Sequence, residues 1–311
     1  MPEMSPSDIA LSSTTLADLS HKDKPWDIHR ANTDKVSAYY ANSEFQNYAD
    51  RVYFCSELLD FKFNTTADGL LDLKLSSARF CRVRSCPVCQ WRRSLMWKSK
   101  AHKILPQIVS DYPTHRWLFL TLTVRNCSIT ELRSTLDLMH DGFKRMSKLK
   151  RFSAVGWLKS VEVTRSKDGS AHPHFHCLLM VSSTYFNGNN YIKQSDWIQI
   201  WKKSLRIDYD PIVDVRAIKK GSNPEVLIPE LLKYCTKESD LVADKEWFLE
   251  FTRQMHNARN ISTGGLLKKY LKELEQEPDD LIGETDNADI VSDAHIMFEW
   301  KRRDKKYKLI S

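Results

Sequence analysis

The stretch Ala171–Val181, AHPHFHCLLMV, decides how the rest of the chain is read. In an extended strand alternate side chains share a face, so His172, His174 and His176 line one side while Phe175 and Cys177 point to the other. Three imidazoles in a row are costly in a core, whereas neutral imidazole is among the commonest metal ligands. A strand edge that happens to be rich in histidine is the plain alternative. Beside a run as apolar as Cys177 to Val181, the His-x-His pattern points instead to a divalent metal site.

Working outward, the preceding segment decides what completes that site. Residues 156–164 read as a strand, and 166–170, SKDGS, turn it back into the histidines. A two-residue turn at Asp168-Gly169 would face Glu162 away from the imidazoles and bury its charge among apolar residues. A three-residue loop, Lys167-Asp168-Gly169, with the glycine in the left-handed region, sets Glu162 directly across from His174. The second geometry is the expectation. Two histidines and a carboxylate accept Mn²⁺, Mg²⁺ or Zn²⁺, and cellular supply favours Mg²⁺ or Mn²⁺.

Further strands and helices flank this pair. Residues 117–124, WLFLTLTV, are apolar on both faces and β-prone, which fits a covered central strand. Ser128 and Glu131 form a capping box ahead of Leu132, Leu136, Met139, Phe143 and Met146 at helical spacing, which are core positions. Ser195 is expected to cap a helix with Trp197, Ile198, Trp201 and Leu205 inward, and 212–218 to form another strand. Pro229 suits the first turn of a helix, PELLKYCTKESDLV, on which Glu230, Tyr234, Lys237 and Leu241 would share one face. Tyrosine between a carboxylate and a lysine is polar machinery on an otherwise packable helix.

Upstream lie Cys55 and, over 81–89, CRVRSCPVC. Cys-Pro-x-Cys aims two thiolates at one point, and a tetrahedral zinc takes four ligands at about 2.3 Å. Cys81, Cys86 and Cys89 supply three; Cys55 is the natural fourth and His102 the reserve. Nothing there suggests an open coordination position, so the role is structural. Buried reduced thiols are the alternative. A basic helix is expected over 91–109.

The 311 residues carry a formal net charge of +7, which favours an anionic partner. Eight arginines and lysines lie between Arg79 and Lys103 with no acid among them. Arginine beside Trp91 and Trp97 suits phosphate pairing and base stacking, hence nucleic acid. No apolar run spans a bilayer and no signal-peptide pattern opens the chain, so a cytoplasmic location is expected. Seven cysteines there favour metal or free thiols over disulfides. With no GxxxxGK[ST] motif, ATP hydrolysis by the chain itself is not expected.

The expected organisation has four parts. Residues 1–50 are mostly disordered with a short helix near 36–48, and 51–110 form the cysteine-rich subdomain and basic helix. Residues 111–245 form the histidine-bearing domain, and 246–311 a helical and basic C-terminal segment. Within that last part 245–275 read as helical, 277–293 as an acidic loop, and 298–310 as a strand pair.

Taken in order, CRVRSCPVCQWRR, FLTLTVRN, SVEVTRS, HPHFHCLLMV and ELLKYCTKESD resemble the HUH endonucleases, and among them the plasmid rolling-circle replication initiators. The resemblance covers roughly residues 55–240. It implies an α+β fold with a central antiparallel sheet flanked by helices, here joined by a small zinc-binding subdomain. It also implies that His174 and His176 hold a divalent cation with Glu162 as acidic partner, and that Tyr234 is the nucleophile. His172 matches a position that stays open between third ligand and bystander, and Thr121, Thr123 and Asn126 lie in the family's first motif. Where related enzymes carry a second tyrosine, four residues on, this chain has Glu238, which implies a single-tyrosine enzyme. Attack would leave a 5′-phosphotyrosine and a free 3′-hydroxyl for a host polymerase, with a host helicase unwinding ahead. Glu230, one helical turn from Tyr234, is the candidate for activating water at termination, and Glu238 its competitor.

The expected partners are single-stranded and double-stranded origin DNA in a bacterial cytoplasm. Homo-oligomerisation is compatible with the sequence, which does not fix the oligomeric state. Two rival readings stand beside this one. One is a transposase or conjugative relaxase sharing the histidines and tyrosine; the other is a zinc-stabilised DNA-binding module without chemistry.

Overall fold

The structure, a computed structural model, describes residues 14–65, 71–219, 224–233, 235–276, 280–282 and 290–310. In chain order it opens with helices α1 (Leu16–Leu19), α2 (Pro25–Tyr40) and α3 (Gln46–Tyr53), then strands β1 (Leu58–Thr65) and β2 (Leu71–Ala78). Helix α4 (Pro87–Asp111), β3 (Arg116–Thr123), α5 (Leu132–Met146), β4 (Ala154–Arg165) and β5 (Ala171–Val181) follow. Next come α6 (Gln194–Leu205), β6 (Val213–Ala217), α7 (Ile228–Leu231), α8 (Glu238–Leu241), α9 (Lys245–Gln254) and β7 (Ile261–Gly265). The last elements are α10 (Lys268–Leu271), β8 (Ile290–Lys301) and β9 (Lys306–Leu309).

The chain divides into two units, residues 97–278 and residues 1–96 with 279–311. Helix α4 runs through the division. Each unit holds one antiparallel sheet with helices against it, so the α+β expectation is met.

In the 97–278 unit the sheet order is β6-β3-β5-β4-β7, all antiparallel. One face is read in rows. Thr123, His174 and Glu162 are paired neighbours, as are Thr121, His176 and Ser160; the next rows are Phe119, Leu178, Leu158 and then Trp117, Met180, Gly156. This face is therefore polar at one end and apolar at the other. The apolar end buries against Ala101, Leu105 and Ile108 of α4 and against Ile228 and Leu231 of α7, so helices cover the strands up to the row where polarity begins. The opposite face packs on α5 and α6: Phe143 meets Trp157 edge-on at 4.9 Å, and the Trp201 indole donates to the Thr123 carbonyl at 2.8 Å. Helix α6 buries Trp197, Ile200, Trp201 and Leu205, so Ile200 replaces the expected Ile198, and Lys193 replaces Ser195 as the cap residue.

In the other unit the sheet order is β2-β1-β8-β9, joining early residues to the C-terminal strand pair. Residues 14–50, read above as mostly disordered, are instead largely helical. The reason is long-range: Asp27 accepts from Tyr307 N–H at 3.0 Å and from the Lys306 ammonium at 2.9 Å, and the Trp300 indole donates to Asp34 at 2.7 Å. Fully buried Arg30 donates to the Tyr53 carbonyl and lies over the Trp300 ring. The basic run also divides in role, because Arg92 and Arg93 are buried and donate to backbone carbonyls of Leu281 and Arg82.

Two other expectations are corrected. Residues 261–265, read as helical, form edge strand β7. The helix expected over 229–242 is broken into α7 and α8, with Lys237 extended between them at ψ 142°. Strand β4 outruns β7, and its outward N–H groups need acceptors. Val161 donates to the Asn260 carbonyl, Val163 to the Cys235 carbonyl at 2.7 Å, and Arg165 to the Asp240 carboxylate at 2.9 Å. Residue 235 is thereby drawn against the sheet edge and out of a helix. Among the described residues no helix is long and apolar enough to cross a membrane.

Candidate metal centre

The loop between β4 and β5 sets the register of the site. Ser166 N–H donates to the Ser170 carbonyl and Gly169 N–H to the Ser166 carbonyl, with Gly169 at φ +85°. A side chain would strain that conformation, so glycine fits the three-residue loop 167–169. The consequence is the pairing of Glu162 with His174, as expected.

Glu162 is 3% exposed, and its Oε2 lies 2.8 Å from both His174 Nε2 and His176 Nε2. One ligand atom from each residue falls within 4.8 Å of the others. His174 Nδ1 faces the His172 carbonyl at 3.3 Å, and a carbonyl only accepts, so that nitrogen carries the proton. With Nδ1 turned to the carbonyl, Nε2 is the nitrogen of His174 left to coordinate a cation beside the Glu162 carboxylate. His176 Nδ1 stands 3.3 Å from the Thr121 hydroxyl, which holds that ring with Nε2 toward Glu162. The donor set therefore fits a divalent cation.

Electrostatics agree. Burial alone would raise the Glu162 carboxyl, but hydrogen bonds from His174, His176 and Lys233 outweigh it and hold it well below the usual carboxylate range. The Lys233 ammonium lies 2.7 Å from Glu162 Oε2 and 2.7 Å from Glu230 Oε1. Glu230 Oε1 is 3.6 Å from His176 Nε2, so this residue borders the cluster. His172 shares the face, its ring 5.4 Å from that of His174, but lies outside the metal-ligand group. Lys237 is exposed, and among the described residues no ion pair or hydrogen bond ties its ammonium to the cluster. Tyr234 lies outside the described residues; its neighbours Lys233 and Cys235 are both held at β4.

Sequence reasoning missed Lys233. It is three residues from Glu230, a spacing that pairs the two, and that was the available signal.

In the other unit Cys55, Cys81, Cys86 and Cys89 converge, all buried. Their sulfurs stand 3.6 Å (Cys55–Cys89 and Cys81–Cys89) and 3.7 Å (Cys55–Cys86) apart. Four sulfurs at about 2.3 Å from a tetrahedral zinc are about 3.8 Å apart, so the set fits that ion. Burial opposes ionising Cys86, and hydrogen bonds from the other three thiols overcome it. His102 instead faces Glu225 at 3.7 Å. All seven cysteines are free of disulfides.

A family profile described as "Replication protein" matches residues 72–308, more than half of the chain. The chain belongs to the replication protein family. The resemblance to plasmid rolling-circle initiators is thereby borne out. This replication protein is 36% identical over 285 residues to the "Protein rep" of Lactiplantibacillus plantarum, covering 87% of this chain and 86% of the relative. It is 34% identical over 283 residues to the "Protein rep" of Streptococcus pneumoniae serotype 2, strain D39, covering 87% of each. A "Replication protein" of Staphylococcus aureus is 38% identical over 224 residues, 66% of this chain and 95% of the relative. No solved structure matches this replication protein.

Proposed function

We propose that this replication protein initiates plasmid rolling-circle replication by nicking single-stranded origin DNA, with Tyr234 as nucleophile. The observation that carries the reading is the convergence of Glu162, His174 and His176 beside the segment on which Tyr234 lies. A Mg²⁺ or Mn²⁺ ion on those three ligands supplies charge neutralisation at the scissile phosphate.

The chain's own residues do the rest. A free tyrosine has a pKa near 10, so Tyr234 needs help from the cation or a base to attack as a phenolate. Its oxygen bonds to phosphorus while the P–O3′ bond breaks, and the departing 3′-oxygen takes a proton. The product holds a 5′-phosphotyrosine and a 3′-hydroxyl that a host polymerase extends, with a host helicase unwinding ahead. Since the ester's energy is conserved in the linkage, rejoining needs no ATP. Glu230, whose carboxylate lies 3.6 Å from His176 Nε2, is the proposed activator of water at termination; Glu238, the first residue of α8, is its competitor. Lys237 is a proposed helper in forming the phenolate. The four cysteines hold a structural Zn²⁺, and duplex recognition falls to basic residues outside the cluster.

Incubation with a single-stranded origin oligonucleotide and Mn²⁺ tests this reading. The wild-type chain is expected to cleave and to form a covalent adduct; Tyr234→Phe and His174→Ala are expected to lose at least about a hundredfold in rate. Cleavage by Tyr234→Phe at the wild-type rate would refute the assignment. Metal-independent binding without cleavage would favour the DNA-binding module.

A further inference from the structure

The ammonium of Lys233 sits where two carboxylates meet, 2.7 Å from Glu162 Oε2 and 2.7 Å from Glu230 Oε1. The same Glu162 oxygen already takes both imidazole nitrogens at 2.8 Å. A carboxylate oxygen has a limited set of lone-pair directions, and three partners occupy this one. A divalent cation held by His174, His176 and Glu162 needs that oxygen too, and a second positive charge at this range repels it.

We propose that Lys233 is a built-in counter-cation of the metal centre: it neutralises Glu162 and Glu230 while no divalent ion is bound, and leaves Glu162 when one enters. Metal binding is then an exchange of one cation for another, and not the filling of an open cup. Three consequences follow from the same geometry. The two carboxylates stay fixed beside the histidines without metal, since the ammonium bridges them. Metal affinity is set below what the ligands alone would provide, because Lys233 competes for Glu162. And Lys233 directly precedes Tyr234, so an ammonium released from Glu162 is tethered within one residue of the nucleophile.

The opposite role is equally definite. A lysine that stayed on Glu162 in the loaded site would hold the carboxylate in position, and its removal would weaken metal binding. The two roles give opposite signs.

The test is calorimetric titration of the full chain with MnCl₂, without DNA, for the wild type, Lys233→Met and Lys233→Arg. Lys233→Met is expected to bind Mn²⁺ about tenfold more tightly, the scale of one charge-assisted hydrogen bond. Lys233→Arg keeps the charge and is expected to bind no more tightly than the wild type. Lys233→Gln replaces the methionine variant should circular dichroism show that the latter fails to fold, with the same expectation. Unchanged or weaker binding in the neutral variants, or no Mn²⁺ binding to any of the proteins, overturns the proposal. It rests on the cation site proposed above but not on the tyrosine chemistry. Tighter Mn²⁺ binding in a protein that forms no DNA adduct would keep this inference and remove the nickase reading; adduct formation with unchanged Mn²⁺ affinity would do the reverse.

Discussion

Lys159 lies on the side of the sheet opposite the histidines, 3% exposed, with its ammonium 2.8 Å from His140 Nδ1 and 3.9 Å from the Phe175 ring centroid. Burial pushes this lysine down from 10.5 to about 8, and burial together with the Lys159 charge pushes His140 down to about 4. A lowered lysine means that the folded chain holds fewer protons than the unfolded one between pH 8 and 10.5, so stability rises with pH across that window. Replacing the charge by an apolar side chain of similar length removes the penalty. Lys159→Met is therefore expected to be more stable at pH 7 by about 1–3 kcal/mol in urea unfolding, with the advantage shrinking toward pH 10. A less stable variant at pH 7 would show that the His140 and Phe175 contacts outweigh the burial cost. Thr121 is the complementary case on the histidine face. Its hydroxyl is 3.3 Å from His176 Nδ1, and Thr121→Val is expected to weaken Mn²⁺ binding about tenfold by freeing that ring. Calorimetric titration measures the difference.

At the scale of elements, β5 was legible because its face alternates strictly and its loop to β4 permits one register that pairs Glu162 with His174. Strand β3 was equally legible from its apolar run. The segment 229–242 was not, although its residues suit a helix. Its conformation is set by β4, whose N–H groups at Val163 and Arg165 lie beyond β7 and take acceptors from Cys235 and Asp240. Propensity cannot register a demand made by a strand some seventy residues earlier. Strand β7 was missed for a related reason: ISTGG is short and glycine-rich, and it is a strand because β4 offers an edge. Gly265 closes that strand at φ +57°, where an added Cβ would fall 2.2 Å from the Val155 carbonyl oxygen. Gly265→Ala is expected to destabilise the chain by about 2–4 kcal/mol in urea unfolding. A loss below half a kcal/mol would mean that β7 contributes little to holding β4.

At the scale of the whole molecule, one sheet is built from neighbouring stretches and the other from the two ends of the chain. The 97–278 unit follows from local patterns read in order. The other unit pairs β1 with β8, more than two hundred residues apart, and its helix α2 is amphipathic only with respect to partners such as Trp300 and Tyr307. That is why its order was illegible while its four cysteines were conspicuous. Zinc held by those cysteines would contribute folding energy directly. Removal of zinc by a chelator, or Cys86→Ser, is expected to lower the thermal midpoint by roughly 10 °C, with zinc release followed in the same sample. An unchanged midpoint would make the cluster a set of packed thiols.

A tyrosine nickase must join Tyr234 to the strand it cuts. Trapping the adduct with a single-stranded origin oligonucleotide and Mn²⁺, digesting it, and sequencing the nucleotide-bearing peptide by mass spectrometry reads that residue out directly. The expected result is a 5′-phosphate linked to Tyr234. A linkage to any other residue, or cleaved DNA with no linkage at all, would contradict it.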